Sequence, residues 1–139
     1  MDSGIQNQIE EMNRVRQRVF SELKKLPDEA LLQTDAETKR SVRQLISLYF
    51  SHERNHIVQI EKTRHLLASH PSEVEMLLAQ ADQSRGDLLA ALAGLTDADW
   101  AQKPAENVWS IQEILAHLVD VEIRLLERIK ALAESPHQP

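Results

Sequence analysis

The sequence predicts an all-α fold, a four-helix bundle made of two repeated helix–loop–helix units, and three observations predict it. The composition is helical: Gly is scarce at 3 of 139 residues, hydrophobic residues make up 42%, and Ala, Leu, Glu, Gln and Arg are common. Apolar residues recur at three- and four-residue spacing through four long segments. The chain also repeats itself without a gap at an offset of 69 residues, the step from Leu26 to Leu95.

In that register Leu26, Asp28, Gln33, Ala36, Glu37, Ser41, Glu53 and Ile60 face Leu95, Asp97, Gln102, Ala105, Glu106, Ser110, Glu122 and Ile129. The apolar positions align as well. Ile5, Ile9, Met12, Val19, Phe20 and Leu23 meet Val74, Leu78, Ala81, Leu88, Leu89 and Leu92, while Val42, Leu45 and Ile46 meet Ile111, Ile114 and Leu115. Each half, about 5–69 and 74–134, is therefore expected to be the same two-helix unit. Two such units bury their apolar stripes against each other within one domain spanning 1–139.

The first helix is expected from Ile5 to about Leu26, carried by Ile5, Ile9, Met12, Val19, Phe20 and Leu23 and ended by Pro27. The second starts at Ser41, where Ser41-Val42-Arg43-Gln44 has the form of a capping box, and runs to about Ala68 before His70-Pro71. The third covers about Ser72 to Ala93, with Gly94 where a C-terminal cap glycine is expected. The fourth opens on Ser110-Ile111-Gln112-Glu113 and runs to about Glu134, leaving a frayed tail at 135–139. Two connections, Pro27–Arg40 and Thr96–Trp109, are long for links between bundle helices.

Bulk properties exclude several function classes. A net charge of −6 and the lack of a basic cluster free of acidic neighbours argue against nucleic acid as the main partner. With no Cys, the chain has no disulfide, no thiolate ligand and no Cys nucleophile. No apolar run approaches the roughly 18 residues of a membrane span, and Met1-Asp2-Ser3-Gly4 lacks the features of a signal peptide. A cytoplasmic location without membrane contact is the expectation.

Of six histidines, His65, His70 and His137 stand alone and read as surface or loop residues. His52 and His56 differ: four residues apart, they stack on one helix face with Leu45, Tyr49 and Ile60, an apolar stripe expected to point into the bundle. That spacing can hold a metal. His117 lies at the edge of the stripe Ile111, Ile114, Leu118, Val121 and Leu125. By the repeat it corresponds to Leu48, while His52 and His56 correspond to Val121 and Leu125. The duplicated helices have thus diverged along one row, one copy gaining two imidazoles and the other one. Two readings stay open here: a metal site, or neutral imidazoles buried in a core and hydrogen-bonded to a carboxylate or carbonyl. Glu53 and Glu122, equivalent in the repeat, could accept from imidazoles or simply be solvated. Glu113 reads as a capping residue, Trp109 as a staple closing the bundle end, and Asp97 and Asp99 have no evident partner.

Two segments carry a family resemblance. Asn107-Val108-Trp109-Ser110-Ile111-Gln112-Glu113-Ile114-Leu115-Ala116-His117-Leu118 resembles the second helix of DinB-like proteins, with its Trp-Ser start and following His-Leu. Ser41-Val42-Arg43-Gln44-Leu45-Ile46, leading into His52-Glu53-Arg54-Asn55-His56-Ile57-Val58-Gln59-Ile60, resembles the last helix of that family, with its HxxxH and Gln-Ile. The usual order places the single-His hairpin first, and here the order is reversed, as in a circular permutation at the middle of the domain. The resemblance implies a four-helix bundle with a three-histidine site for a divalent metal, typically zinc or nickel. The ligands carried over are His52, His56 and His117, and three imidazoles leave a coordination position open. It also implies a small-molecule substrate and, as in some relatives, a low-molecular-weight thiol cosubstrate. The expected function is a metal-dependent thiol S-transferase or hydrolase. The alternative is a non-catalytic bacterial interaction or stress-associated domain with core histidines. The reversed order leaves two ways to bring His117 to the pair, within one chain or across a homodimer that exchanges hairpins.

Overall fold

A computed structural model describes residues 3–134; the expected tail at 135–139 and His137 lie outside the described residues. The chain divides into two compact units, Met1–His70 and Pro71–Pro139. The first carries α1 (Ser3–Leu23), a 3-10 helix (Asp28–Leu32) and α2 (Val42–Leu66); the second carries α3 (Glu73–Ala91), α4 (Asp97–Trp100) and α5 (Ile111–Glu134). The all-helical class is as the sequence predicts. No helix among the described residues is long and apolar enough to cross a membrane.

In the first unit α1 ends at Leu23, earlier than expected, because the chain tightens into three-residue turns ahead of Pro27, with Lys25 N–H donating to Glu22 and Leu26 N–H to Leu23. The connection that follows is not structureless. Its 3-10 helix packs on α2 and buries Ala30 to 8% exposure. The Asp35 carboxylate then accepts from Thr38 N–H and Oγ–H at 2.7 and 2.5 Å, Lys39 takes a positive φ of 59°, and Thr34 pairs with Ser41 in an isolated bridge. α2 opens on the expected capping box: Gln44 N–H donates to Ser41 Oγ at 3.2 Å and Ser41 N–H to Gln44 Oε1 at 2.8 Å. It closes with Ser69 N–H on the Arg64 carbonyl and Ala68 N–H on that of His65, a Schellman arrangement that holds Ala68 at φ 52°.

The second unit repeats these devices. α3 is capped by Ser72 and Glu75, a box absent from the sequence reading, and is followed by Gly94 at φ 81°. α4 falls on the repeat equivalent of the 3-10 helix and packs on α5. Its start is tied by Asp99, which accepts from Thr96 N–H at 2.9 Å and Oγ–H at 2.7 Å. α5 opens on Ser110, only 3% exposed, in a reciprocal pair with Glu113.

The duplication is clearest in what ties each helix pair together. Arg16 of α1 donates to Glu53 of α2, and Arg85 of α3 donates to Glu122 of α5. Both Arg16 to Arg85 and Glu53 to Glu122 are steps of 69, so one brace is built twice. In the first hairpin the half-buried residues are Arg16, Val19 and Leu23 on α1 with Val42, Ile46 and Glu53 on α2. In the second they include Leu88 and Leu92 on α3 with Ile111, Leu115, Leu118 and Val121 on α5. The half-buried residues of α2 are thus 42, 46 and 53, beside the expected stripe. Leu45, Tyr49 and Ile60 are 40%, 39% and 59% exposed.

Candidate metal centre

α2 has no proline or glycine from Val42 to Leu66, so its α geometry is unbroken through the His pair and stacks residues four apart on one face. His52 and His56 use that stacking. Their Nε2 atoms stand 3.0 Å apart and their rings meet edge to face with centroids at 4.5 Å. Gln59, three residues further, places its Oε1 2.8 Å from His56 Nδ1. An amide oxygen only accepts, so His56 Nδ1 carries the proton and donates it. In the neutral ring this leaves His56 Nε2 as a lone pair able to accept from His52 Nε2–H.

This arrangement fits a divalent ion. Two imidazole nitrogens bound at about 2.0–2.1 Å to one ion stand roughly 2.9–3.4 Å apart for angles between a right angle and a tetrahedral one. The 3.0 Å spacing lies in that range, and Gln59 supplies the outer hydrogen bond that metal-binding imidazoles usually make. Gln59 was missed as a functional residue by sequence reasoning, although its i, i+3 spacing from His56 was visible.

His117 lies in the second turn of α5, with the edge of the Trp109 ring against it at a centroid distance of 5.0 Å and an angle of 66°. Trp109, expected as a staple, therefore backs the imidazole, and 49% of its surface stays exposed. His52 and His56 belong to the first hairpin and His117 to the second. Among the described residues no three His, Asp or Glu side chains form a group that holds a metal on its own; the pair on α2 is what forms.

Glu53 and Glu122 do not accept from imidazoles. Each accepts from the arginine of its own hairpin, Arg16 or Arg85, an identity in the repeat register that a comparison limited to apolar positions in the first helices passes over. Burial alone would lower the Arg16 guanidinium, but its hydrogen bond and charge attraction to Glu53 outweigh that and raise it above its ordinary value. The guanidinium carbon also sits 5.8 Å from the Phe20 ring centroid and 6.0 Å from that of Tyr49. Beside this brace an open cleft of about 830 Å³ runs between α1 and α2. Met12, Val15, Leu45, Leu48 and Tyr49 give it an apolar wall, and His52 lines it too. No Cα of α1 comes within 8 Å of a Cα of α2 among the described residues, and that spacing leaves the cleft open.

Glu113 bonds Lys103 at 2.7 Å as well as Ser110, and these contacts, Lys103 first, hold its carboxylate below the usual range. This is a capping role, as the sequence indicated.

No curated protein and no solved structure matches the chain. The family model of the DinB superfamily matches residues 80–139, which include the Trp109-Ser110 start and His117. The resemblance read from the sequence is thus borne out independently over most of the second hairpin, and the match stops short of the His pair on the first. Residues 80–139 are similar to the DinB superfamily.

Proposed function

We propose that this chain is a divalent-metal-dependent enzyme of the DinB-like type, a thiol S-transferase or a hydrolase acting on a small molecule, with His52, His56 and His117 as ligands. The observation that carries the proposal is the convergence of the His52 and His56 Nε2 atoms to 3.0 Å, with Gln59 fixing the tautomer of His56. To offer a second lone pair, His52 has only to move its proton from Nε2 to Nδ1. Three imidazoles leave a position open, the pattern of catalytic rather than structural sites. A zinc or nickel ion held there would supply Lewis acidity to whatever group takes the open position. The apolar wall of Met12, Val15, Leu45 and Leu48 beside His52 suits the non-polar body of a substrate. Trp109 orients the His117 ring through its edge contact. A reacting thiol has to come from a cosubstrate, since the chain has no Cys.

Metal analysis of protein purified without chelator or His-tag tests this reading. Near one equivalent per triad is expected, and His52→Ala/His56→Ala/His117→Ala should abolish it; an unchanged metal content in that variant sinks the proposal. A second reading, a non-catalytic interaction module, draws on the many exposed apolar side chains of both hairpins. It requires metal-free protein, together with Leu at the three positions stabilising the chain.

A further inference from the structure

Everything that sets the spacing of the His52 and His56 imidazoles lies within one helix. α2 is unbroken from Val42 to Leu66, so a single helical turn fixes the two backbone positions from which the rings converge. Gln59, on the same helix, holds the His56 proton on Nδ1 and leaves Nε2 to a ligand role. His52 matches it by carrying its own proton on Nδ1. The nearest acid in sequence, Glu53, is engaged by Arg16 and adds no third donor. Among the described residues no further His, Asp or Glu joins the pair in a metal-holding group.

The spacing bears on which ion fits. Two metal–nitrogen bonds of about 2.05 Å whose nitrogens stand 3.0 Å apart enclose an angle of roughly 94° at the ion. A tetrahedral ion would hold the same nitrogens about 3.3–3.4 Å apart. A right angle is the angle between adjacent positions of a square-planar or octahedral ion, the geometries of copper(II) and nickel(II), whereas zinc prefers the tetrahedron. The pair is therefore set for two adjacent positions of such an ion, with water free to take the others.

We propose that His52 and His56 form by themselves a right-angled two-nitrogen chelate, selective for nickel(II) or copper(II) over zinc(II), that takes up its ion without His117. This deepens the proposed function and rests on its assignment of His52 and His56 as ligands, but it needs nothing from the second hairpin.

The test titrates untagged full-length His117→Ala with nickel(II) and with zinc(II) against a chromophoric chelator. His117→Leu, with the residue that Leu48 supplies at the equivalent repeat position, takes its place if circular dichroism shows the Ala variant unfolded. A single imidazole imposes no angle, so His52→Ala/His117→Ala and His56→Ala/His117→Ala give the baseline ratio of nickel to zinc affinity. His117→Ala should bind one equivalent of nickel, with a ratio above that baseline. Each double variant should lose roughly 10–100-fold or more in nickel affinity, since losing a ligand costs no less than losing its outer hydrogen bond. Electron paramagnetic resonance of the copper(II) form should count two equatorial imidazole nitrogens in His117→Ala and one in each double variant. Binding by the unsubstituted protein that vanishes in His117→Ala and His117→Leu overturns the proposal and leaves the three-histidine reading standing. No binding above baseline by the unsubstituted protein overturns both. A ratio at or below the baseline overturns the selectivity and with it the proposal. Equal nickel affinity in His117→Ala and the unsubstituted protein upholds the proposal and removes His117 as a ligand.

Discussion

Gln59 offers the sharpest perturbation of the site, because it touches no proposed ligand except His56 and does so through one atom. Its Oε1 lies 2.8 Å from His56 Nδ1, and that contact fixes the proton on Nδ1, so that Nε2 faces His52 as a lone pair. Gln59→Leu keeps a similar bulk and removes the acceptor. The ring can then rotate, and the Nε2–H tautomer, which cannot ligate through Nε2, becomes populated. Outer hydrogen bonds of this kind are worth roughly 10–100-fold in metal affinity, or about 1.4–2.7 kcal/mol. Gln59→Glu should retain or strengthen binding, since a carboxylate accepts from Nδ1–H with charge assistance. The measurement is a competition titration of zinc against a chromophoric chelator, with no thiolate background because the chain lacks Cys. Thermal unfolding of the metal-free variants is the control. Gln59 is exposed, so Gln59→Leu should stay within about 0.5 kcal/mol of the parent. Unchanged zinc affinity in Gln59→Leu, or an equal loss in the Glu variant, would refute the orienting role.

Three further outcomes follow from the local structure. Ser110→Ala should cost about 1 kcal/mol of stability and more than Ser41→Ala, because Ser110 is 3% exposed while the same reciprocal cap at Ser41 is only half-buried; urea unfolding of the two variants checks the order. Ala68→Gly should stabilise by roughly 0.5–1 kcal/mol in the same assay, since Ala68 bears a Cβ at φ 52° where Gly94 serves the other unit at φ 81°, and a loss of stability would show that the left-handed turn is not populated. Acid should weaken the connections. Asp35, bonded by Thr38, Asp99, bonded by Thr96, and Glu113, bonded by Lys103 and Ser110, all lie below their ordinary values of 3.8, 3.8 and 4.5. Depressed carboxylates contribute fully above those values and lose their contribution as pH falls through the lower folded ones. Thermal stability should therefore lose this contribution only below about pH 4.5, and Asp35→Asn/Asp99→Asn/Glu113→Gln should flatten that acid limb; an identical limb in the triple variant would assign it to other groups.

Much of this was legible in the sequence because it is local. The caps at Ser41 and Ser110 rest on residues three apart, Gly94 on a position just past a helix end, and the HxxxH pair on one helical turn. What was not legible depended on geometry between segments. Within the first hairpin the half-buried positions of α2 are Val42, Ile46 and Glu53, while Leu45, Tyr49 and His52 of the expected stripe line the cleft facing α1. Apolar periodicity did not reveal that Arg16 reaches Glu53 across the helix pair. The 3-10 helix and α4 were hidden for another reason. Each is a single short element within a connection, stabilised by packing on the following helix, and a connection of fourteen residues shows no period long enough to reveal it.

The doubled brace explains how the two halves can differ in chemistry while sharing a frame. Arg16–Glu53 and Arg85–Glu122 set the same register between the helices of each hairpin, so residues 69 apart occupy equivalent places on their own hairpins. Along the row beside that brace, the first hairpin has Leu48, His52 and His56 where the second has His117, Val121 and Leu125. The fixed register means that these are substitutions at matched sites, not shifts of the helix. A polar pair on one half thus matches an apolar pair on the other, and a leucine on one matches a histidine on the other.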